Sequence, residues 1–247
     1  MADPPISEEV VLINIFIFKE AIMRKNLLKK MMAFAAMVTL LLIPVSGLAA
    51  QVEGNSNHVE KDWMSYVELV QKLNQIKEAS SGKVEVEVIG QSRQGREIHA
   101  ARVGTGDQLL LINGNIHGNE KSGPEALMQM FETLGTSDSP LAQSIRDEVT
   151  IVAVPRLNVD GAELTQRQNV FPWDEVVATY PQLEGAEPAW YYHARNRGFD
   201  INRDFNPDLN YEPLLEDLPG TSADLGFFLT NESQILRDLY LDLKDVR

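Results

Sequence analysis

The chain has 247 residues, of which 44% are hydrophobic and 23% charged, a composition typical of a globular protein with one domain, or one domain and a tail. It contains no cysteine, which excludes disulfides, thiolate metal ligands and a cysteine nucleophile. Any metal must therefore be held by His, Asp or Glu side chains. The formal net charge of −14 argues against nucleic acid as a partner, because a phosphate-binding face needs concentrated lysine and arginine.

The N-terminal part of the chain has the pattern of a secretory signal and not of a folded domain. Residues 23–50 combine a basic start, an apolar stretch, and small residues around Ala49 that suit cleavage. Residues 1–22 form an extension before this signal, and Met23 is a candidate for the true start. We expect a secreted or extracytoplasmic protein with no stable membrane association after cleavage. The alternative is an uncleaved anchor, for which the apolar stretch is short.

Beyond residue 50, hydrophobic periodicity predicts alternating helices and strands. Apolar residues at spacings of three and four predict helices, and short apolar or alternating runs predict strands. The predicted elements are a helix over Trp63–Ala79, strands over Val84–Val88, Ile98–Val103 and Leu109–Ile112, a helix from Ser122 to Leu134 and a strand over Thr150–Val154. Loops are predicted over Gly135–Pro140 and Leu164–Tyr192. This pattern predicts an α/β domain with a parallel or mixed sheet.

A His-x-x-Glu sequence, His117 to Glu120, lies between the central predicted strand and the helix that follows it. In open α/β sheets, the loop that leaves the carboxyl end of a strand is where ligands bind. An imidazole and a carboxylate brought together there are suitable ligands for zinc. The alternative is a solvated loop with an isolated histidine.

A second polar segment, from His193 to Asn206, contains three arginines and three asparagines in an otherwise acidic protein. Arginine presents a planar set of donors that can bind a carboxylate with two parallel hydrogen bonds. This density predicts a site for an anionic group. The alternative is a solvated loop whose arginines pair with nearby acids.

Four motifs occur in order along the chain, and together they resemble the M14 family of zinc carboxypeptidases. The motifs are Gly90-x-Ser92-x-x-Gly95-Arg96, His117-x-x-Glu120, Asn158-Val159-Asp160-Gly161 and Asp200-Ile201-Asn202-Arg203-Asp204-Phe205. The resemblance extends from about Trp63 to the C-terminus. It implies a mixed sheet flanked by helices.

The resemblance also implies roles for individual residues. His117 and Glu120 correspond to two of the three ligands for one zinc ion. Asn202 and Arg203 correspond to the pair that binds the free α-carboxylate of a peptide substrate.

An arginine upstream of that pair polarises the scissile carbonyl in the family. Arg195 is the residue that we assign to this catalytic role, and Arg197 is its rival.

The sequence departs from the family pattern towards its C-terminus. The family's third zinc ligand is a histidine beyond the Asn-Arg pair, and its glutamate general base lies further on, but no histidine follows His193 here. We therefore expect residues 51–247 to be a C-terminally truncated catalytic domain, the front half of the fold, with an incomplete zinc site and weak or no activity. Recruitment of His193 as the third ligand is the alternative, at a position that resembles no family ligand.

Three functions are compatible with these features. The leading one is a secreted zinc-dependent metallocarboxypeptidase that hydrolyses the C-terminal peptide bond of peptides with a free carboxylate. The second is a hydrolase of the same fold that acts on cell-wall peptides or acyl amino acids. The third is a non-catalytic remnant that binds peptide carboxylates.

Overall fold

The computed structural model of the chain describes residues 63–217 and 225–245. The predicted extension (1–22), the predicted signal (23–50) and residues 51–62 of the predicted domain lie outside the described residues and stay predictions. Within the described ranges, no helix has both the length and the apolar character needed to cross a membrane.

The main sheet of the described region is mixed, as the sequence predicts. Its strands are β1 (Val84–Gln91), β2 (Glu97–Val103), β3 (Gln108–Asn113) and β4 (Val149–Val154). Their order across the sheet is β1-β2-β4-β3, with β2 antiparallel to β1 and β4, and β3 parallel to β4. Because β3 and β4 run in the same direction, the loops that leave their carboxyl ends emerge side by side, where α/β proteins bind ligands.

Helices flank this sheet, which confirms the predicted α/β class. In the described region they are α1 (Tyr66–Ala79), α2 (Ser122–Thr136), α3 (Pro140–Glu148), α4 (Val159–Glu163), α5 (Trp173–Thr179) and α6 (Asn231–Asp245). A short ribbon, β5 (Tyr192–His193) with β6 (Gly198–Phe199), lies outside the main sheet.

Strand β4 shows that the sheet is buried on both faces. Successive side chains of a strand point to opposite faces. Ile151 and Ala153 pack into a core with α1 and α2, whereas Val152 and Val154 pack into another core that includes residues of α6. All four side chains are at most 2% exposed. A strand with two buried faces explains the uninterrupted apolar run in the sequence.

Two helix boundaries depend on capping residues that periodicity does not detect. Helix α1 begins at Tyr66 and not at Trp63, because Ser65 and Glu68 form a reciprocal capping box. The sequence analysis predicts no helix at α3, which is only nine residues long and has Ala142 as its fully buried residue. Its N-terminus is set by Ser139, whose side chain accepts a hydrogen bond from Ala142 N.

The prediction of a loop over Leu164–Tyr192 is wrong in part. The segment contains α5 and a 3-10 turn over Pro181–Leu183, and it builds a separate aromatic core. The buried members of this core are Phe171, Val176, Leu183, Ala189, Tyr191, Phe199, Phe227 and Leu229. Aromatic side chains bury large areas, so a segment with few periodic residues can still fold against the domain. This core includes Phe199, the residue before Asp200, and so fixes the start of the last motif.

Candidate metal and substrate site

The segment after β3 forms a tight loop that presents His117 and Glu120 together. Asn115 has a left-handed backbone with a φ of 54°, and its side-chain amide donates to the carbonyl oxygens of His117 (2.7 Å) and Glu120 (2.9 Å). The loop is also joined to the end of β4, because Gly114 N donates to Val154 O (2.9 Å). His117 is buried, so this is not the solvated loop with an isolated histidine that was the alternative.

The imidazole of His117 lies between two carboxylates. Its Nδ1 is 3.0 Å from Glu120 Oε1, and its Nε2 is 3.1 Å from Asp200 Oδ1. An Nε2–H that donates to Asp200 leaves the Nδ1 lone pair directed at Glu120. Carboxylates placed behind a histidine in this way fix the ring orientation of metal-binding histidines. The structure thus brings the two predicted metal ligands together and adds an orienting group.

Asp200 is a site residue to which sequence reasoning gave no role. Burial raises the pKa of Asp200, but hydrogen bonds from His117 and Arg167 and the charge of Arg167 lower it to about 2. The carboxylate is therefore ionised at neutral pH and acts as an acceptor. The sequence signal was present, because Asp200 lies two residues before Asn202 in the last motif.

Arg167 is the arginine that the structure places against the His117–Glu120 loop. Its Nε donates to Asp200 Oδ2 (2.9 Å), and its Nη1 lies 3.6 Å from Glu120 Oε1. Its backbone also joins this loop, since Gly118 N donates to Arg167 O (3.2 Å). Arg167 lies in the predicted loop after Leu164, where no sequence signal distinguished it.

The two arginines considered from the sequence make no hydrogen bond or ion pair with His117, Glu120 or Asp200 among the described residues. Arg195 is exposed and lines an open depression, together with Arg167 and His193, and it makes no ion pair with the described residues. Arg197 pairs with Asp174 at 3.0 Å on the surface. The assignment of Arg195 to the scissile carbonyl therefore stays a prediction, and Arg167 is a further candidate because it contacts Asp200 and lies near Glu120.

Asn202 and Arg203 follow Asp200 in a 3-10 turn over Ile201–Arg203. The turn begins where Asp200 Oδ1 accepts a hydrogen bond from Asn202 N (3.2 Å). The same oxygen contacts His117, so the predicted carboxylate-binding pair is joined directly to the predicted metal loop. Asn202 is partly exposed and Arg203 is exposed, which leaves the guanidinium accessible to a substrate.

The donor set fits part of a zinc site. Catalytic zinc normally takes three protein ligands and keeps one position for water. His117 and Glu120 supply two suitable donors, but no group of three His, Cys, Asp or Glu side chains within residues 63–217 and 225–245 is arranged to hold a metal. His193 is exposed in the depression beside Arg195 and contributes no third ligand to such a group.

Comparison with known proteins identifies the family. The family model for zinc carboxypeptidases (Peptidase_M14) matches residues 69–225, which is more than half of the chain. This chain belongs to the M14 zinc carboxypeptidase family. All residues of the four motifs, from Gly90 to Phe205, lie within the matched region, and so do the residues of the described site.

Curated relatives of this M14 chain are carboxypeptidases. It is 30% identical over 175 residues to carboxypeptidase E of Caenorhabditis elegans, a match that covers 64% of this chain and 33% of the relative. It is also 30% identical over 158 residues to the human carboxypeptidase N catalytic chain, covering 59% and 31%. The M14 chain thus spans about a third of the length of the curated relatives it matches.

Solved structures show the same fold. Bovine thrombin-activatable fibrinolysis inhibitor, solved in complex with a tick carboxypeptidase inhibitor, matches with a TM-score of 0.53 and 17% identity, over 74% of this chain and 57% of that chain. Carboxypeptidase A from Helicoverpa armigera matches with a TM-score of 0.51 and 16% identity, over 88% and 50%. The mixed sheet flanked by helices is therefore the carboxypeptidase fold over the part that this M14 chain covers.

Proposed function

We propose that this chain is an exported, zinc-dependent carboxypeptidase that releases the C-terminal residue of peptides. The placement of the His117 ring between Glu120 and Asp200 carries the proposal. Membership of the M14 family supports the reaction class, and the sequence pattern of residues 23–50 supports export. The peptidase activity itself is proposed and not shown by the similarity, because the matches cover only about a third of each relative.

The residues around this loop have distinct roles in the proposal. Zinc at His117 and Glu120 would supply a Lewis acid and lower the pKa of a water molecule to about 7. Asp200 holds the His117 ring so that Nδ1 faces Glu120. Asn202 and Arg203 bind the α-carboxylate of the substrate, because a guanidinium matches a carboxylate with parallel N–H donors.

Zinc binding by the full chain is the first test. We expect the wild-type chain to bind zinc in equilibrium dialysis, and we expect His117→Ala to weaken binding by at least about 100-fold, since loss of an outer partner alone costs roughly 10–100-fold. His99→Ala is the matched control, because His99 is also buried but lies in β2 beside Glu97. A wild-type chain that binds no zinc, or a His117→Ala chain that binds it equally well, would contradict the proposal.

A second test separates the two candidate arginines. If Arg167 polarises the scissile carbonyl, Arg167→Gln should lower kcat on an N-blocked dipeptide by about 100-fold, the usual effect of removing one donor to a developing oxyanion. Arg195→Gln should change kcat by less than about threefold. The reverse order would establish Arg195 as the catalytic arginine. For a chain with little turnover, the same comparison can be made with the affinity for a peptide phosphonate, which mimics the transition state.

A non-catalytic binding protein is the second candidate function. It is favoured by one observation, the lack of a group of three metal-binding side chains among the described residues. In this case the Asn202–Arg203 turn would bind peptide carboxylates without hydrolysis. A zinc-loaded chain that binds a peptide acid better than the corresponding amide, with no release of the terminal residue, would support this function over the first.

A further inference from the structure

Two of the four motifs have no chemical role in the proposed function, and the structure shows that they are joined. Asp160 at α4 is fully buried, and it accepts three hydrogen bonds from the β1–β2 turn among the described residues. The donors are Ser92 Oγ (2.8 Å), Gln94 N (3.1 Å) and Arg96 Nη1 (2.6 Å). Buried carboxylates are stable when they are paired and hydrogen-bonded in this way. Helix α4 is therefore fixed to the sheet.

Asn158, the residue before α4, contacts both loops of the candidate site. It is fully buried, and its Nδ2 donates to Ile116 O (3.3 Å) and to Arg167 O (3.2 Å). One acceptor is the carbonyl of the residue that precedes His117, and the other belongs to Arg167 itself. The Oδ1 atom accepts from Gly161 N (2.9 Å) and caps α4. The side chain therefore uses its acceptor and both N–H donors.

The His117 loop approaches the backbone of α4 closely and is also bonded directly to the Arg167 loop. Asn158 N donates to Asn115 O (3.2 Å), and Gly118 N donates to Arg167 O (3.2 Å). A Cβ atom on Gly118 would lie 2.2 Å from the Gly161 carbonyl carbon, so a side chain at that position has no space. The His117 loop is thus packed directly on α4, and Asn158 lies at the junction.

We infer that Asn158 is a positioning residue, which sets the separation between the His117–Glu120 loop and Arg167. Its amide is the single side chain, among those described, that hydrogen-bonds the carbonyls of both Ile116 and Arg167. Because Asp160 anchors α4 to the β1–β2 turn, Asn158 also has a support that belongs to neither loop. The consequence for zinc rests on the proposed function, whereas the effect on loop position does not.

A simpler role for Asn158 is the helix cap alone, and Asn158→Asp separates the two roles. Aspartate keeps the side-chain volume and an oxygen that accepts from Gly161 N, so the cap survives. It cannot donate, and it places a carboxylate oxygen against the carbonyls of Ile116 and Arg167. Ile116 O would be left buried without a donor, which is costly, and Arg167 O would keep its bond from Gly118 N alone, so the two loops should separate locally.

The experiment measures amide hydrogen exchange and zinc affinity for the full chain. In Asn158→Asp we expect the amides of Gly118 and Glu120 to exchange at least about tenfold faster, while the amides of α1 keep their wild-type rates, since local openings report local stability. We expect zinc affinity to fall about tenfold, as for other residues that orient metal ligands. Asn206→Asp is the matched control, because Asn206 is also buried and donates to Gly226 O (2.9 Å), away from both loops.

Unchanged exchange at Gly118 and Glu120 would overturn the inference, and so would an equal acceleration at every amide. If Asn158→Asp does not fold, Asn158→Ser keeps a capping oxygen and lacks the length to reach both carbonyls, and the same exchange pattern is expected. A wild-type chain that binds no zinc would count against the proposed function, whereas faster exchange at Gly118 in the variant would still support the positioning role.

Discussion

Asp204→Ala is expected to lower the free energy of unfolding by roughly 4 kcal/mol, as for other losses of a buried, hydrogen-bonded charge. Asp204 is fully buried and accepts five hydrogen bonds from described residues. The donors are Tyr191 Oη (2.6 Å), Phe227 N (3.4 Å), Leu229 N (3.0 Å), Thr230 N (2.8 Å) and Ser233 Oγ (2.6 Å). Alanine would leave these donors buried without an acceptor, and each such donor is costly.

The effect should extend to the substrate pair, because Asp204 directly follows Arg203. It connects the turn at Asn202 and Arg203 to the N-terminus of α6, so its loss should loosen the segment that presents Arg203. Asp208→Ala is the control, since Asp208 is exposed and should change stability by less than about 0.5 kcal/mol. Urea denaturation followed by circular dichroism measures both variants, and a loss below about 1 kcal/mol in Asp204→Ala would show that the network is not stabilising.

The second large effect is a dependence of stability on pH that comes from Glu232 in α6. Burial raises the pKa of Glu232 from 4.5 to about 7, with the nearby charges of Asp160 and Asp204 acting in the same direction and a hydrogen bond from Asn169 Nδ2 (2.9 Å) opposing them. Its Oε1 has no hydrogen-bond partner among the described residues. The folded protein therefore keeps the Glu232 proton at pH values where the unfolded chain has released it.

The sign of the effect follows from proton linkage. Between pH 4.5 and pH 7 the folded state binds the Glu232 proton and the unfolded state does not, so the free energy of unfolding falls as the pH rises. A shift from 4.5 to about 7 corresponds to about 3 kcal/mol, since one pKa unit is worth about 1.4 kcal/mol. The stabilisation is complete below pH 4.5 and lost above pH 7.

Glu232→Gln tests this expectation, because glutamine keeps an acceptor for Asn169 and cannot ionise. The difference in unfolding free energy between variant and wild type should grow by about 3 kcal/mol in favour of the variant between pH 4 and pH 8. Glu187→Gln, at an exposed glutamate, should leave the wild-type profile unchanged. If the difference in unfolding free energy between Glu232→Gln and wild type stays constant across this range, Glu232 has the same pKa in the folded and unfolded states, and the expectation is wrong. Chemical denaturation at fixed pH intervals supplies the measurement.

The sequence by itself determined the elements whose signals are local. Strand β4 was recognisable because Val149–Val154 is a short apolar run, and α2 because its apolar residues recur at helical spacing. His117 and Glu120 were recognisable as a pair because they are three residues apart, so one loop brings them together. The Asn202–Arg203 pair was assigned through the resemblance to the M14 family, and the structure joins it to the His117 loop through Asp200.

Only the tertiary structure decided which distant groups join that loop. Asp200 lies 83 residues from His117 in the chain, and its contact with the ring depends on the aromatic core that positions Phe199. Arg167 and Arg195 are the same type of residue in the sequence. Folding places Arg167 near Glu120, whereas Arg195 lies exposed at the open depression. The burial of Glu232 is also decided by the tertiary structure. In the sequence nothing distinguishes Glu232 from the other acidic residues, and its pKa is raised because packing removes the carboxyl group from water.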